Sequence, residues 1–103
     1  MENAPRHTPW GKAQQTEKLA DGIYFIYTAS HGGIWLDRYR QEKVPECKNF
    51  LNSREWWEED CDWAVPFVHF AADIKAFGPP GKDFGLHLAA AKRTIKHWHP
   101  EIA

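Results

Sequence analysis

From residue 16 the pattern of polar and apolar positions predicts β-strands, because residues 23–28 are a run of β-branched and aromatic side chains. Residues 16–20 and 23–28 are separated by Asp21-Gly22, a dipeptide typical of two-residue hairpin turns. Ser30-His31-Gly32-Gly33 then offers a second turn, and residues 34–36 follow as a short apolar strand. The pattern therefore predicts a three-stranded antiparallel meander.

After the predicted strands, apolar residues recur at spacings of three and four, which are typical of amphipathic helices. Residues 37–44 predict a short charged helix that ends before Pro45. Farther along, two apolar faces recur at helical spacing, one after the other: Trp63, Phe67, Phe70, Ile74 and Phe77, then Phe84, Leu88, Ala91, Ile95 and Trp98. Gly78-Pro79-Pro80-Gly81 is the predicted loop between them, and Asp83 is the predicted cap of the last helix.

A further helix is predicted around the acidic run in the middle of the chain. Asn52 followed by Glu55 resembles a capping box, which marks a helix start. Pro66 leaves two alternatives open. Either the helix ends near Ala64 and a new one begins with Pro66 in its first turn, or one helix is kinked there.

These elements predict an α+β fold in which a three-stranded antiparallel β-meander packs against two to four helices. A sheet this small cannot bury both of its faces alone, so helices must cover one of them. With 103 residues, the chain has material for one core. We expect residues 1–9 to form a flexible N-terminal arm and residues 10–103 to form a single domain.

Charge and composition exclude several classes of function. Thirteen basic and fourteen acidic side chains give a formal net charge of −1, so direct nucleic-acid binding is not predicted. No apolar run approaches 18 residues, so no membrane span is predicted. The two cysteines, with no apolar leader before them, favour a cytoplasmic protein with free thiols.

The acidic run is the first candidate for a functional surface. Carboxylates at 55, 58, 59 and 62 would share one face of the predicted helix. Such a face is commonly only solvated, but acidic residues around exposed tryptophans are typical of protein interfaces. The predicted partner-binding residues are Glu55, Trp56, Glu58, Glu59, Asp62 and Trp35.

The Ser-His-Gly-Gly segment is the alternative candidate. A histidine between flexible residues can be exposed and can act as an acid or base, with His31 and Ser30 as the candidate catalytic residues. The simpler interpretation is a glycine turn in which Ser30 bonds its own backbone. Cys61 is a poor nucleophile by position, because the neighbouring carboxylates disfavour its thiolate.

No metal or cofactor is predicted. The sequence has no Cys-x-x-Cys and no His-Glu-x-x-His, and its histidines do not pair at a spacing of four. It also lacks a phosphate-binding glycine loop and the nucleophile motif Gly-x-Ser-x-Gly.

Three segments together resemble an uncharacterised family of small proteins from phages, plasmids and other mobile elements. They are residues 10–14 (WGKAQ), residues 30–33 (SHGG) and residues 57–63 (WEEDCDW). The resemblance spans about residues 10 to 99. It implies a setting in which small acidic or near-neutral proteins often neutralise host defences, and it implies no reaction and no catalytic residues.

Two hypotheses of different classes follow. The first is a non-enzymatic, stoichiometric inhibitor, anti-CRISPR or anti-restriction in kind, that occludes a basic surface of a host protein or complex. The second is a small enzyme that uses His31 as acid or base. A structural domain without a ligand is a third possibility, and the sequence leaves the oligomeric state open.

Overall fold

The computed structural model describes residues 4–79 and 83–102, and the α+β class is confirmed. The strands are β1 (His7–Thr8), β2 (Gly11–Lys12), β3 (Gln15–Ala20), β4 (Ile23–Tyr27), β5 (Gly32–Leu36) and β6 (Trp56–Glu58). The helices are α1 (Arg38–Lys43), α2 (Ala64–His69), α3 (Ala71–Phe77) and α4 (Phe84–Trp98), followed by a 3-10 turn (Pro100–Ile102). β1 and β2 form a separate two-stranded ribbon, and β3-β4-β5-β6 form one antiparallel sheet.

The three predicted strands are confirmed, but the second turn lies elsewhere. Gly22 has a φ of 79° in the tight turn between β3 and β4, as Asp-Gly predicted. Gly32 and Gly33 lie inside β5 and are buried there. The turn before them is closed by Thr28, whose hydroxyl and backbone N–H both donate to the His31 carbonyl oxygen, at 2.7 and 2.8 Å.

The sheet has a fourth strand where a helix was predicted, so the three-stranded sheet is wrong. Residues 56–58 pair with β5, and no capping box forms: Asn52 has a φ of 49°, a turn conformation. Ser53 instead fixes the backbone that leads into β6. Its hydroxyl accepts hydrogen bonds from the N–H groups of Glu55 and Trp56, at 3.0 and 3.2 Å.

The strand register gives the sheet two unlike faces. Ile34 pairs with Phe25 on one side and Trp57 on the other, and Trp57, only 1% exposed, belongs to the hydrophobic core. The next position, Trp35, pairs with Tyr24 and Trp56, so alternation places these three on the opposite face. The helices pack on the first face, and the buried residues there form one cluster.

Most helices lie where the spacing of apolar residues predicted them. α1 begins after Asp37, whose carboxylate accepts from the Arg40 N–H at 2.9 Å. Pro66 lies in the first turn of α2, as the first alternative predicted, and the chain leaves helical geometry at Phe70 before α3. The helix that this alternative ends near Ala64 is wrong, because residues 56–58 form β6 and residues 59–63 form a turn. Asp83 caps α4 by accepting from the Leu86 N–H at 3.1 Å.

Two residues of the predicted apolar faces are not in the core. Phe77 and Trp98 are 45% and 59% exposed, and each is the last residue of its helix. Pro80 and Gly81 of the predicted loop lie outside the described residues, as do residues 1–3 of the predicted N-terminal arm. Residues 7–8 of that arm form β1.

Among the described helices, none combines the length and the apolar character that crossing a membrane requires.

Candidate functional site

The acidic helix face predicted from the sequence does not exist, because its residues lie in a strand and in the turn after it. Two of its carboxylates are buried: Asp62 is 1% exposed and Glu58 is 7% exposed. Asp62 Oδ1 lies 3.0 Å from His99 Nε2, an internal partner. Trp35, predicted as a surface residue, is 2% exposed.

The other predicted partner-binding residues are half-buried and are used inside the molecule. Glu55 accepts a hydrogen bond from the Trp35 indole N–H at 2.7 Å. Trp56 packs edge-on against Trp10, with ring centroids 5.6 Å apart. Glu59 donates its backbone N–H to the Gly32 carbonyl oxygen at 2.9 Å. Because these side chains are buried or engaged in internal contacts, they do not form the exposed acidic face that the sequence predicted.

Glu58 nevertheless lines a cavity of about 600 Å³, which we call the aromatic cleft. Three large aromatic side chains, two carboxylates, a histidine and a thiol line it: Trp10, Phe50, Trp98, Glu58, Asp60, His31 and Cys61. None of these seven residues is a lysine or an arginine. The cleft thus combines aromatic walls with negative charge.

The three aromatic residues come from distant parts of the chain. Trp10 sits at the tip of the β1–β2 ribbon, where its backbone N–H donates to the Thr8 hydroxyl at 3.0 Å. Phe50 is 80% exposed, and its backbone N–H is fixed by Asp62 Oδ2 at 2.7 Å. Trp98 is the last residue of α4. Phe50 and Trp98 are exposed and Trp10 is half-buried, and aromatic rings that reach a surface in this way are suited to contact with a partner.

Glu58 is the buried carboxylate of the cleft, whereas Asp60 is exposed. One of its oxygens accepts from the Asp60 N–H at 2.7 Å, and the other lies 3.9 Å from His31 Nδ1. Burial raises the pKa of Glu58 above its ordinary value, and the negative charges of Asp60 and Glu59 act in the same direction. A positively charged ligand would offset the repulsion between these negative charges.

Cys61 is a thiol at neutral pH, as the sequence predicted. Burial and then the charge of Asp62 raise its pKa to about 11. A thiolate nucleophile is therefore scarce at this position.

The alternative catalytic residues are only partly supported by the geometry. The His31 side chain is about half exposed at the edge of the aromatic cleft, near Glu58. The Ser30 hydroxyl makes a long hydrogen bond of 3.5 Å to the Trp10 carbonyl oxygen. Thr28, rather than Ser30, holds the loop backbone at His31.

Sequence reasoning missed most of the aromatic cleft. Phe50 carried a usable signal, since Phe50 and Leu51 form a short apolar pair between polar residues and belong to neither predicted apolar helix face. Trp98 was assigned to the core face of α4, and Trp10 to the start of the domain. Their proximity depends on long-range contacts that no local pattern contains.

Comparison with known proteins gives a family but no function. A family model described as a domain of unknown function (DUF7007) matches residues 3–102, and the chain belongs to this family. No curated protein and no solved structure matches the chain.

Proposed function

We propose that this DUF7007 protein is a non-enzymatic binding protein whose aromatic cleft holds a cationic side chain, arginine or lysine, of a protein partner. The observation that carries the proposal is the meeting of Trp10, Phe50 and Trp98 with two carboxylates in one cavity. The partner surface would be basic, as the sequence analysis expected, but the cleft replaces the acidic helix as the binding site.

Physical chemistry favours a cation in such a cavity. The face of an aromatic ring attracts an ammonium or guanidinium group, and each contact contributes roughly 0.5 to 2 kcal/mol. Arginine suits this cleft especially well, because its planar group stacks on rings while it donates hydrogen bonds to carboxylates. Glu58 and Asp60 supply those acceptors.

Binding of this kind would act by occlusion. A partner whose own function needs the captured side chain, for instance to hold nucleic acid, would lose that side chain to the cleft. The resemblance to mobile-element proteins supports a defence complex of the host as the first partner to examine. Charge attraction would chiefly raise the association rate, so added salt should slow association.

The direct test uses a single side chain as the ligand. We expect N-acetyl-arginine amide to shift tryptophan indole N–H signals in an NMR titration, with an affinity in the millimolar range, about −4 kcal/mol. N-acetyl-citrulline amide, which has nearly the same shape without the charge, should cause much smaller shifts. Equal responses to both compounds would contradict a site for cations.

Two matched variants test whether arginine binds in the aromatic cleft. Trp98→Ala should weaken arginine binding roughly 2- to 30-fold, the range that one cation–aromatic contact allows. Leu86→Ala is the control, because Leu86 is also exposed on α4 but does not line the cleft. If both variants bind like the original protein, the cleft is not the site.

Binding should also depend on pH through Glu58. Since the pKa of Glu58 is raised, this carboxyl gains its proton at a higher pH than an ordinary glutamate as the solution is acidified. Arginine binding should therefore weaken early on acidification, and Glu58→Gln should be weaker throughout and lose most of this dependence.

The enzyme hypothesis makes a different prediction for His31. A binding protein should retain arginine binding when His31 is replaced by alanine, since the aromatic walls and both carboxylates remain. An enzyme that uses His31 as acid or base would lose turnover in the same variant.

A further inference from the structure

A second group of side chains, next to the aromatic cleft, has the composition of a metal site. The ligand atoms of Cys61, Asp62 and His99 all lie within 4.8 Å of one another. Asp62 Oδ1 is 3.0 Å from His99 Nε2 and 3.5 Å from Cys61 Sγ. Asp62 and His99 are 1% and 3% exposed, and Cys61 is half-buried and faces the cleft.

The distances are close to those that a bound ion requires. Zinc–ligand bonds of about 2.0 to 2.3 Å in a tetrahedron place neighbouring ligand atoms about 3.3 to 3.8 Å apart. The separation of Cys61 Sγ and Asp62 Oδ1, 3.5 Å, lies in this range, and that of Asp62 Oδ1 and His99 Nε2, 3.0 Å, lies just below it. Cys61 Sγ and His99 Nε2 lie within 4.8 Å of each other, so an ion between the three atoms requires these side chains to adjust.

A backbone N–H group holds Asp62 in the orientation that a ligand needs, and a carboxylate lies near the far side of the His99 ring. The second oxygen of Asp62 accepts from the Phe50 N–H at 2.7 Å, which leaves Oδ1 directed at the histidine and the thiol. The other ring nitrogen of His99, Nδ1, lies 3.7 Å from a Glu101 carboxylate oxygen. A carboxylate behind the second nitrogen is the usual support of a metal-bound histidine.

We propose that Cys61, Asp62 and His99 bind Zn²⁺. A sulfur, an imidazole nitrogen and one carboxylate form a set that zinc accepts, whereas magnesium and calcium prefer oxygen ligands alone. In binding, the Cys61 S–H bond breaks, a sulfur–zinc bond forms and the proton passes to solvent. Three protein ligands leave a fourth position for water, which is typical of zinc sites that are not purely structural.

The test measures zinc binding by the reduced full-length protein and by two cysteine variants. We expect the original protein and Cys47→Ser to bind one equivalent of Zn²⁺ in competition with a chromogenic chelator, and Cys61→Ser to bind at least tenfold more weakly. Cys47 is the matched control, since it is the other free, half-buried cysteine. Cobalt in place of zinc should give a thiolate charge-transfer band that only Cys61→Ser lacks.

Clear results would overturn this assignment. Absence of stoichiometric zinc binding by the folded original protein contradicts it, and so does a Cys61→Ser variant that keeps the full affinity and the cobalt band. Circular dichroism should show that both variants are folded. His99→Gln gives a second measurement: it should weaken zinc binding even where Cys61 is intact. Arginine binding is measured without zinc, so the two proposals can fail separately.

Discussion

Gly33 allows the Trp10 ring and the neighbouring strand β6 to lie close against β5. A Cβ atom at this position would lie 2.7 Å from Trp10 Cη2 and would overlap the Trp57 carbonyl oxygen even more closely. Since Gly33 pairs with Glu58 in β5 and β6, the same close approach places the Trp10 ring beside the strand that carries Glu58. The missing side chain thereby allows the aromatic cleft to form.

We expect Gly33→Ala to lower the free energy of unfolding by about 2 kcal/mol or more, because overpacking against backbone cannot be relieved by a side-chain rotation. Urea denaturation measures this change. Gly85→Ala is the control: Gly85 is exposed in α4, where alanine is the better helix former and should be neutral or stabilising by up to about 1 kcal/mol. Similar values for the two variants would contradict the close packing at Gly33.

Single residues also show where the sequence misleads. Gly32-Gly33 resembles a turn in the sequence, because glycine is the commonest residue of tight turns. The position of these glycines inside β5 depends instead on Trp10 and Trp57, which lie close to Gly33 and are 23 and 24 positions away from it in the sequence. By contrast, the role of Asp21-Gly22 was predictable, since a two-residue turn depends on local backbone geometry alone.

At the scale of elements, α4 is the helix whose start the sequence defines best. Asp83 precedes it and accepts the Leu86 N–H, which would otherwise lack a partner in the first turn. The helix then packs Ala91 and Ile95 into the core. Its far end carries Trp98 and His99, so the position of α4 determines both proposed sites.

Asp83→Ala should therefore destabilise the protein by about 1 kcal/mol, the usual cost of losing such a cap. Asp83→Ser retains an oxygen that can accept the same hydrogen bond and should restore most of the stability. Thermal unfolding of the three proteins measures the effect. An alanine variant as stable as the original would show that the cap contributes nothing to α4.

The fourth strand shows why one element was predicted wrongly. Asn52 and Glu55 have the spacing of a capping box, and the acidic run after them has helical periodicity. However, Trp56, Trp57 and Glu58 also alternate between the two faces of a sheet, and pairing with β5 buries Trp57 completely. Burial of a large indole outweighs a weak local helix signal, and the sequence does not show that an open sheet edge is available.

At the scale of the whole molecule, both proposed sites depend on contacts between distant segments. The α+β class followed from local periodicity, because strands and helices each leave a regular pattern. The aromatic cleft joins residues 10, 50, 58 and 98, and the proposed zinc ligands His99 and Asp62 are 37 positions apart. A search for local motifs therefore predicted no metal and placed the acidic residues on one helix.

Trp10 and Trp98 both line the aromatic cleft, but only Trp10 also contributes to the stability of the fold. Trp10 is half-buried, packs on Trp56 and Gly33, and receives hydrogen bonds at its carbonyl oxygen from Thr28 and Ser30. Trp98 is 59% exposed. Removing Trp10 should therefore affect stability and binding, whereas removing Trp98 should affect binding alone.

We expect Trp10→Ala to cost about 2 to 3 kcal/mol of unfolding free energy, somewhat less than a fully buried tryptophan, and Trp98→Ala less than about 0.5 kcal/mol. Both should weaken binding of N-acetyl-arginine amide. Trp10→Phe should recover much of the stability, because the indole N–H of Trp10 is buried and has no hydrogen-bond partner among the described residues. If Trp10→Ala matches the original protein in stability, the N-terminal ribbon does not hold the sheet, and the aromatic cleft would lack the wall on which the cation is proposed to rest.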